Sequence, residues 1–330
     1  MSKTYNWGII GLGRIAHQFA QGLSVLSNAK LYAVASRSQD KADEFAQQYG
    51  ATKAYNTYEA LASDPDVDVV YIATPHNLHC TNTLLCLDAK KAVLCEKPLA
   101  INAVEAAQMI QKAHEQQTFL MEAIWTRYLP FCQKMMELIE ADVIGDIHLV
   151  RADFGFYRPF DPDSRLFNPE LAGGSLLDIG IYPLFLASLL LGFPTTIQAI
   201  AQMSETQIDQ HCAMQLKYEK GQIASLFSSI QANTQNIAEI HGTKGIIRIS
   251  PHFHQATHFS LQLHNEEPQD FHFQHTPGNG YTFEAKAVMN YLEADKTESD
   301  LLPLEFSKRL IQTMDAIRSQ CGVVYPIDKT

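Results

Sequence analysis

The chain has 330 residues, of which 46% are hydrophobic and 18% charged, and this length predicts two domains with sizeable cores. The net charge of −11 argues against nucleic acid and anionic membranes as partners, because both are negatively charged. The six cysteines form no CxxC pair and the N-terminus carries no signal-peptide core, which together predict a cytoplasmic protein with reduced thiols. The longest apolar stretch, near 181–191, is too short to span a bilayer and is typical of a core helix.

The first part of the chain alternates short apolar runs with helical patterns. Strands are predicted at 6–10, 31–35, 69–73, 92–95 and 118–121. Helices are predicted between and after them at 15–26, 39–48, 57–62, 78–89 and 103–116. Because strands that alternate with helices are typical of βαβ units, residues 1–122 are predicted to form an α/β domain on a buried parallel sheet.

The sequence changes its pattern after residue 122. From residue 146 onward the apolar runs are typical of half-buried antiparallel strands, and the links "YEKGQ" and "HGTKG" supply residues that suit hairpin turns. Two helices are predicted within this region, at 175–191 and 303–320. Residues 123–330 are therefore predicted to form an α+β domain with a large open, mainly antiparallel sheet.

A glycine loop, "IIGLGRIA", follows the first predicted strand. Gly11 permits a tight turn, Gly13 lets a pyrophosphate approach the backbone, and Ala16 takes the third small position of the G-x-G-x-x-G/A pattern. Arg14 and Ile15 begin the helix whose N-terminus would face the diphosphate. Because the loop lies between a predicted strand and a predicted helix, it predicts a dinucleotide-binding Rossmann domain.

The end of the second predicted strand determines the choice of dinucleotide. An NAD enzyme places an acidic residue there to accept from the ribose 2′-OH, whereas this chain reads "VASRS" with Ser36 and Arg37. An arginine fork with a hydroxyl suits the 2′-phosphate of NADP. NAD stays possible, because Asp40 could reach the ribose and Arg37 could be a solvated loop cation.

Two loops at the same edge of the sheet follow the strands predicted at 69–73 and 92–95. The first, "TPHNLH", contains the predicted cofactor-binding residues Thr74, Pro75, Asn77 and His79. A helix N-cap or a structural histidine is an equally good interpretation of His79. The second loop, "CEKPLA", contains Glu96, Lys97 and Pro98, which are also predicted to border the cofactor.

The adjacent charges of Glu96 and Lys97 need an explanation, because desolvated charges at a buried strand end are costly unless they are paired or used. One interpretation is an exposed strand end with a solvated ion pair. The other is that Lys97 is aimed at the cofactor, since open α/β sheets bind ligands at the carboxyl ends of their strands.

The glycine loop, "TPHNLH", "CEKPLA" and "GGSLLDIGIYPL" together resemble the Gfo/Idh/MocA oxidoreductases over nearly the whole chain. Within that family, "LMEAIWTRYLP" and "HGTKGIIRI" resemble the branch of dihydrodiol dehydrogenases and NADP-dependent D-xylose dehydrogenases. The resemblance implies that residues 123–330 bind the substrate and form a homodimer through the C-terminal sheet. It also implies a Glu-Lys-Pro motif at Glu96, Lys97 and Pro98, and an active-site pair at Asp178 and Tyr182.

The expected chemistry is hydride transfer between nicotinamide and a carbinol carbon, with a proton partner for the oxygen. Asp178 and Tyr182 lie four residues apart on a predicted helix and so share one face. A free tyrosine has a pKa of about 10, and a neighbouring Lys97 would lower it. Asp178 would orient Lys97 or a substrate hydroxyl, and Glu96 would anchor the strand end. The alternative for Tyr182 is a packing tyrosine.

Weaker candidates for a substrate cleft are Trp125, Arg127, Phe154, Arg158 and Arg165, which are more often core and rim residues. The histidines between 252 and 275 lack cysteine partners or an HExxH pattern, so no metal site is predicted. The predicted substrate is a small sugar, such as D-xylose, or a trans-dihydrodiol. The alternatives are a dinucleotide-sensing regulator without turnover and a sugar–sugar oxidoreductase that retains its cofactor.

Overall fold

The computed structural model describes residues 3–275 and 277–329. The chain divides into two compact units, one of residues 1–129 with 275–308 and one of residues 130–274 with 309–330. This division differs from the predicted domains 1–122 and 123–330, because the segment 275–308 returns to the first unit. Thr282 Oγ1 donates to the Gly22 carbonyl at 2.8 Å, and Asn279 Nδ2 donates to the Gln18 carbonyl at 2.9 Å.

The described residues contain nine α-helices. They are α1 (Arg14–Leu23), α2 (Gln39–Tyr49), α3 (Tyr58–Ala62), α4 (His79–Asp88), α5 (Ala103–Gln116), α6 (Pro130–Glu140), α7 (Ile181–Leu191), α8 (Gly280–Glu293) and α9 (Leu304–Cys321). Helices α6 and α8 are not among the predicted elements. The helix predicted at 175–191 is a π-helical turn, Leu176–Gly180, that continues into α7.

The first unit contains a six-stranded parallel sheet. Its strands are β1 (Tyr5–Ile10), β2 (Ala29–Ala35), β3 (Lys53–Tyr55), β4 (Val69–Ile72), β5 (Ala92–Glu96) and β6 (Leu120–Ala123). Their order, β3-β2-β1-β4-β5-β6, is that of a Rossmann fold. All four residues of β4 are buried, as expected for a central strand covered on both faces. Phe19 of α1 stacks on Tyr71 of β4, with ring centroids 3.7 Å apart.

The second unit contains an eight-stranded sheet. Its strands are β7 (Ile147–Gly155), β8 (Thr196–Met203), β9 (Asp209–Lys217), β10 (Ile223–Ser229), β11 (Ala238–Gly242), β12 (Gly245–Ile249), β13 (His258–Leu263) and β14 (Gln269–His272). Their order is β14-β13-β12-β11-β7-β10-β9-β8, and every pair is antiparallel except β7 and β10. The predicted fold class is confirmed.

The helical stretch Pro169–Leu191 is the one part of the described chain that is long and apolar enough to cross a membrane, with a mean hydropathy of 1.7. It is longer than the predicted apolar segment because the turns before α7 extend it. The structure buries 83% of its most apolar window. A buried core helix passes the same test of length and composition, so this stretch is weak evidence for a membrane span.

Candidate active site

The glycine loop forms a cradle that fits a pyrophosphate. Gly11 has φ +89°, and a Cβ there would lie 2.7 Å from the Thr74 nitrogen, so only glycine fits. Gly13 is the N-cap of α1, makes no side-chain cap, and would have nothing within 4 Å of an added Cβ. The first N–H groups of α1 therefore face open space, where an anion would be stabilised by these donors and by the helix dipole.

Ser36 and Arg37 follow β2 beside this loop, whose Gly11 N–H donates to the Ala35 carbonyl at 3.3 Å. Ser36 is half-buried and Arg37 is exposed. Burial raises the pKa of the neighbouring Tyr58 phenol, and the charge of Arg37 acts against this rise. The end of β2 thus presents a guanidinium and a hydroxyl, a combination that suits a phosphate.

His79 has the environment of a structural residue. Its ring is fully buried, with Nδ1 2.8 Å from the Pro98 carbonyl and Nε2 2.9 Å from the Thr74 carbonyl. Burial lowers the pKa of His79 to about 4, and the two carbonyls act in the opposite direction because they favour two N–H groups. Since both nitrogens are engaged, the ring connects the loop after β4 to the loop after β5. This geometry fits the structural interpretation and leaves neither ring nitrogen for a cofactor.

The residues around His79 differ in their surroundings. Thr74 is buried, and its Oγ1 accepts from Asn82 Nδ2 at 3.2 Å. Pro75 and Asn77 are half-buried. Within the described chain, the buried Oδ1 of Asn77 has no hydrogen-bond partner. Because a buried acceptor without a donor is costly, Asn77 is the residue of this loop best suited to receive a ligand N–H.

The carboxylate of Glu96 is held at the end of β5 by both of its oxygens. Oε1 accepts from the Tyr71 hydroxyl, and Oε2 accepts from the Lys97 N–H at 3.2 Å. The following peptide, Lys97–Pro98, is cis. Glu96 and Lys97 are both half-buried. The Glu96 side chain therefore fixes the backbone from which the Lys97 side chain projects.

Two further carboxyl groups are buried near Glu96, and neither is among the residues predicted for the site. Glu122 of β6 accepts from the Leu99 N–H at 2.8 Å, and burial raises its pKa to about 7. Glu284 of α8 is fully buried, and neither of its oxygens has a hydrogen-bond partner in the described structure. Burial and the charge of Glu96 raise the pKa of Glu284 well above its usual range. Only the return of α8 to the first unit brings Glu284 to this place.

Trp125 and Arg127, two substrate candidates, have the packing contacts of core and rim residues. Arg127 is 9% exposed and its Nε donates to the Leu301 carbonyl at 3.0 Å. The Trp125 ring lies 4.5 Å from that of Tyr281, and a Cβ on Gly280 would come within 2.6 Å of it.

In the second unit, the segment that carries Asp178 is built on close backbone contacts. Gly174 has φ +120°, and a Cβ there would lie 2.3 Å from Asp209 Oδ1. Asp209 Oδ2 accepts from the Ser175 hydroxyl and from the Leu176 N–H, both at 2.7 Å. Burial raises the pKa of Asp209 to about 6. Asp209 therefore supports the start of the π-helical turn that contains Asp178.

Asp178 and Arg165 form a two-pronged ion pair. Arg165 Nη1 lies 3.1 Å from Asp178 Oδ1, and Nη2 lies 3.2 Å from Oδ2. The Asp178 side chain is 7% exposed and that of Arg165 is 51% exposed. The sequence predicted both residues for the site but not their pairing, which gives Asp178 a partner on its own unit.

Tyr182 lies in an aromatic cluster. It is 9% exposed, and its ring centroid is 5.7 Å from that of Phe154 and 4.9 Å from that of His254. Phe154 and His254 stack on each other at 4.4 Å. Arg158 is exposed and lies over Phe156, outside this cluster.

Sequence reasoning missed His254, because nothing in its spacing separates it from the other histidines nearby. In the described chain, no group of three or more histidine, cysteine, aspartate or glutamate side chains has the arrangement of a metal site.

The structure thus gives two groups of candidate residues. The first unit holds the glycine loop, Ser36 with Arg37, Asn77 and the Glu96–Pro98 motif at the carboxyl edge of its parallel sheet. The second unit holds Asp178 with Arg165, and Tyr182 with its aromatic neighbours.

The chain is similar to known protein families and to individual enzymes over nearly its whole length. Residues 5–124 match the family described as "Oxidoreductase family, NAD-binding Rossmann fold", and residues 132–248 match the "GFO/IDH/MocA C-terminal domain". The chain is 39% identical to the mouse trans-1,2-dihydrobenzene-1,2-diol dehydrogenase and 36% identical to the human one, over 98% of both chains in each case.

Solved structures share the fold at lower identity. The aldose-aldose oxidoreductase from Caulobacter crescentus has a TM-score of 0.87 at 24% identity, with 97% of this chain and 98% of that chain covered. The 3-ketoreductase from Actinomadura kijaniata, in complex with NADP and TDP-benzene, has a TM-score of 0.85 at 24% identity and the same coverage. The predicted enzyme class, an NAD(P)-dependent oxidoreductase, is confirmed, and the chain belongs to the Gfo/Idh/MocA family.

Proposed function

We propose that the protein is an NADP(H)-dependent dehydrogenase that transfers hydride between nicotinamide and a CH–OH carbon of a small substrate, an aldose such as D-xylose or a trans-dihydrodiol. The observation that carries the proposal is the combination of Lys97, Asp178 and Tyr182 in half-buried or buried positions. A dinucleotide sensor without turnover has no use for this combination. The names of the mouse and human relatives support the diol as a substrate class.

The first unit would hold the cofactor. The open N-terminus of α1 beside Gly13 would bind the pyrophosphate, and Ser36 with Arg37 would bind the 2′-phosphate of NADP. The nicotinamide of that cofactor supplies or accepts the hydride. Asn77 Oδ1 would accept a hydrogen bond from the bound dinucleotide, since it has no partner among the described residues.

The proton of the substrate hydroxyl would pass to Tyr182 in the oxidation direction. The Lys97 ammonium would stabilise the negative charge that develops on the substrate oxygen. Both oxygens of Asp178 accept from the Arg165 guanidinium. We therefore assign to Asp178 the role of positioning this guanidinium against the substrate, in addition to the orienting role predicted from the sequence.

The test of the function is turnover. A panel of aldoses, polyols and trans-diols with NADP+ should show formation of NADPH by absorbance for at least one class. Cofactor binding without turnover across the panel would support the dinucleotide-sensing regulator instead. Nicotinamide absorbance that persists in the protein after dialysis would support the sugar–sugar oxidoreductase with a retained cofactor.

The test of the mechanism is Tyr182→Phe, which keeps the ring in its aromatic cluster and removes the exchangeable proton. We expect kcat to fall by about 10²–10⁴-fold with little change in cofactor affinity. Lys97→Met should also lower kcat, and the double variant should lose far less than the product of the two effects, because the pair acts as a unit. Tyr218→Phe is the matched control, since Tyr218 is a buried tyrosine of the same unit whose hydroxyl has no partner in the described structure. Nearly full turnover in Tyr182→Phe would overturn the assignment.

We also propose a homodimer through the outer face of the eight-stranded sheet, with the strands around 210–233 and 257–275 as the predicted patch. The register aligns Ile200 of β8, Ala213 of β9 and Phe227 of β10 in one apolar row on that face. Ile200 is 75% exposed. A contiguous apolar row on a solvent-facing sheet is typical of a surface that is covered by a partner.

A further inference from the structure

A tyrosine near the C-terminus contacts the backbone segment of the second unit that leads to Asp178. The Tyr325 hydroxyl donates to the Gly173 carbonyl at 2.5 Å, between residues 152 positions apart in the chain. Tyr325 is fully buried, so loss of its hydroxyl would leave a buried carbonyl without this donor. Tyr325 lies outside the residues assigned to cofactor, substrate and proton transfer.

The turn that contains Tyr325 is fixed to the end of α9. Arg318 of this helix forms a fork with Asp328, with Nη1 2.6 Å from Oδ2 and Nη2 3.3 Å from Oδ1. The Tyr325 N–H donates to the same Oδ2 at 2.9 Å, and the Arg318 guanidinium lies 4.9 Å from the centre of the Tyr325 ring. Because Arg318 is only 5% exposed, these contacts are shielded from solvent and fix the position of the Tyr325 hydroxyl.

Gly173 packs directly against the backbone that carries Arg165. A Cβ on Gly173 would lie 2.6 Å from the Leu166 carbonyl oxygen and 2.8 Å from the Arg165 carbonyl oxygen, so this approach requires glycine. The next residue, Gly174, donates from its N–H to the Leu166 carbonyl at 2.9 Å. A shift of the Gly173 peptide would therefore displace the backbone of Arg165.

We propose that Tyr325 is a positioning residue of the substrate site, which holds Gly173 so that the Arg165 guanidinium meets both oxygens of Asp178. This inference deepens the proposed function, because it rests on the assignment of Arg165 and Asp178 to the substrate. A two-pronged pair needs the guanidinium and the carboxylate in one fixed arrangement, so it is sensitive to small shifts of the backbone.

The two partners of the ion pair are supported by different buried side chains. Asp178 lies in the π-helical turn whose start is held by Asp209, which accepts two hydrogen bonds there, both at 2.7 Å. Arg165 lies on the backbone that packs against Gly173, and Tyr325 holds that glycine. Removal of the Tyr325 hydroxyl should therefore weaken substrate binding through Arg165. The cofactor, which the first unit would hold, should be unaffected.

The experiment compares Tyr325→Phe with the wild type as full-length protein. Phenylalanine keeps the ring against Arg318 and removes only the donor to Gly173. With the aldose or trans-diol that gives turnover in the panel, we expect the KM for the substrate to rise about three- to tenfold, because one buried hydrogen bond is lost. The KM for NADP+ should stay within about twofold of the wild-type value.

A double variant separates positioning from a general loss of structure. In the Arg165→Ala background, Tyr325→Phe should have little further effect on the KM for the substrate, because the residue that it positions is absent. Tyr218→Phe is the matched control, since it removes the hydroxyl of another buried tyrosine of the same unit, and it should change neither KM. An effect of Tyr325→Phe that is just as large without Arg165 would overturn the proposal.

Hydrogen exchange measured by mass spectrometry gives a readout that needs no turnover. In Tyr325→Phe, the peptide that contains the Gly174 amide should exchange faster than in the wild type, and peptides of the six-stranded sheet should be unchanged. Asp328→Asn, which breaks the fork that holds Tyr325, should give the same pattern and serves as the second variant if Tyr325→Phe does not fold. Unchanged exchange at Gly174 would overturn the role of Tyr325, whereas absence of turnover across the substrate panel would overturn the proposed function.

Discussion

The substitution Glu122→Gln tests the buried carboxyl group that holds the loop after the Glu-Lys-Pro motif. Glu122 is fully buried, its Oε1 accepts from the Leu99 N–H, and its Oε2 has no hydrogen-bond partner among the described residues. Burial raises its pKa from 4.5 to about 7. The folded protein thus retains a proton on Glu122 at pH values where the unfolded chain has lost it.

The sign and size of the effect follow from this difference. Glu122 contributes its full stability below pH 4.5, and this contribution is lost as the pH rises through about 7. The gap between the two pKa values corresponds to a loss on the order of 3 kcal/mol. Glutamine is neutral at every pH and keeps a carbonyl oxygen for the Leu99 N–H. The free energy of unfolding of Glu122→Gln, relative to wild type, should therefore rise by about 2–3 kcal/mol between pH 5 and pH 8.

Tryptophan fluorescence during denaturation with urea reports the unfolding of the first unit, which contains Glu122. Both tryptophans, Trp7 and Trp125, belong to this unit. The control is Glu44→Gln, which removes an exposed carboxyl group on α2 and should leave the pH dependence unchanged. Parallel pH profiles for wild type and Glu122→Gln would refute the reasoning, because Glu122 would then be ionised in the folded state with some compensating partner.

Three further predictions concern the cofactor, the substrate and the dimer. Arg37→Ala should weaken the binding of NADP+ by about 1.5–3 kcal/mol, measured as a rise in its KM, and leave the KM for NAD+ almost unchanged, because only NADP+ carries the 2′-phosphate. Equal changes in the two KM values would contradict the assignment. Arg165→Ala should lower kcat/KM at least tenfold, and Arg165→Lys should not restore it because lysine cannot form the fork with Asp178; unchanged kinetics would remove Arg165 from the site. Ile200→Asp should give a monomer mass by light scattering, whereas Val104→Asp, at a similarly exposed apolar residue of the first unit, should remain dimeric; a wild-type monomer would exclude the interface.

Local patterns were sufficient to predict the parallel sheet and its glycine loop. A run such as Val69–Ile72, buried on both faces, is apolar throughout, and Gly11 and Gly13 follow a strand at fixed spacing. Strand β3 was not predicted, because its three residues, Lys53–Tyr55, are all half-buried and show neither an apolar run nor a clear alternation. The antiparallel sheet followed from the half-buried apolar runs after residue 146 and from the resemblance to the family, whereas the order of the strands was not predicted.

Contacts between distant segments could not be predicted. The hydrogen bond from Thr282 to Gly22 joins residues 260 positions apart, and no local pattern in 280–293 indicates which unit receives this helix. The same holds for Glu284, whose burial depends on that contact, and for His254, which meets Tyr182 only through the folded sheet. The pairing of Arg165 with Asp178 is closer in sequence, but the tight backbone at Gly173 and Gly174 that allows it is a property of the fold.

The late position of α8 has a consequence for synthesis on the ribosome. Helix α1 and strands β1–β6 emerge first, but the Gln18 and Gly22 carbonyl groups receive the side-chain donors Asn279 Nδ2 and Thr282 Oγ1 only when that later segment has been made. The nascent nucleotide-binding unit must therefore wait, with the surface of α1 uncovered, until nearly the whole chain has been translated. A fragment that ends at residue 129 would keep that surface exposed permanently, so chaperone dependence should be greatest for chains that stop before α8.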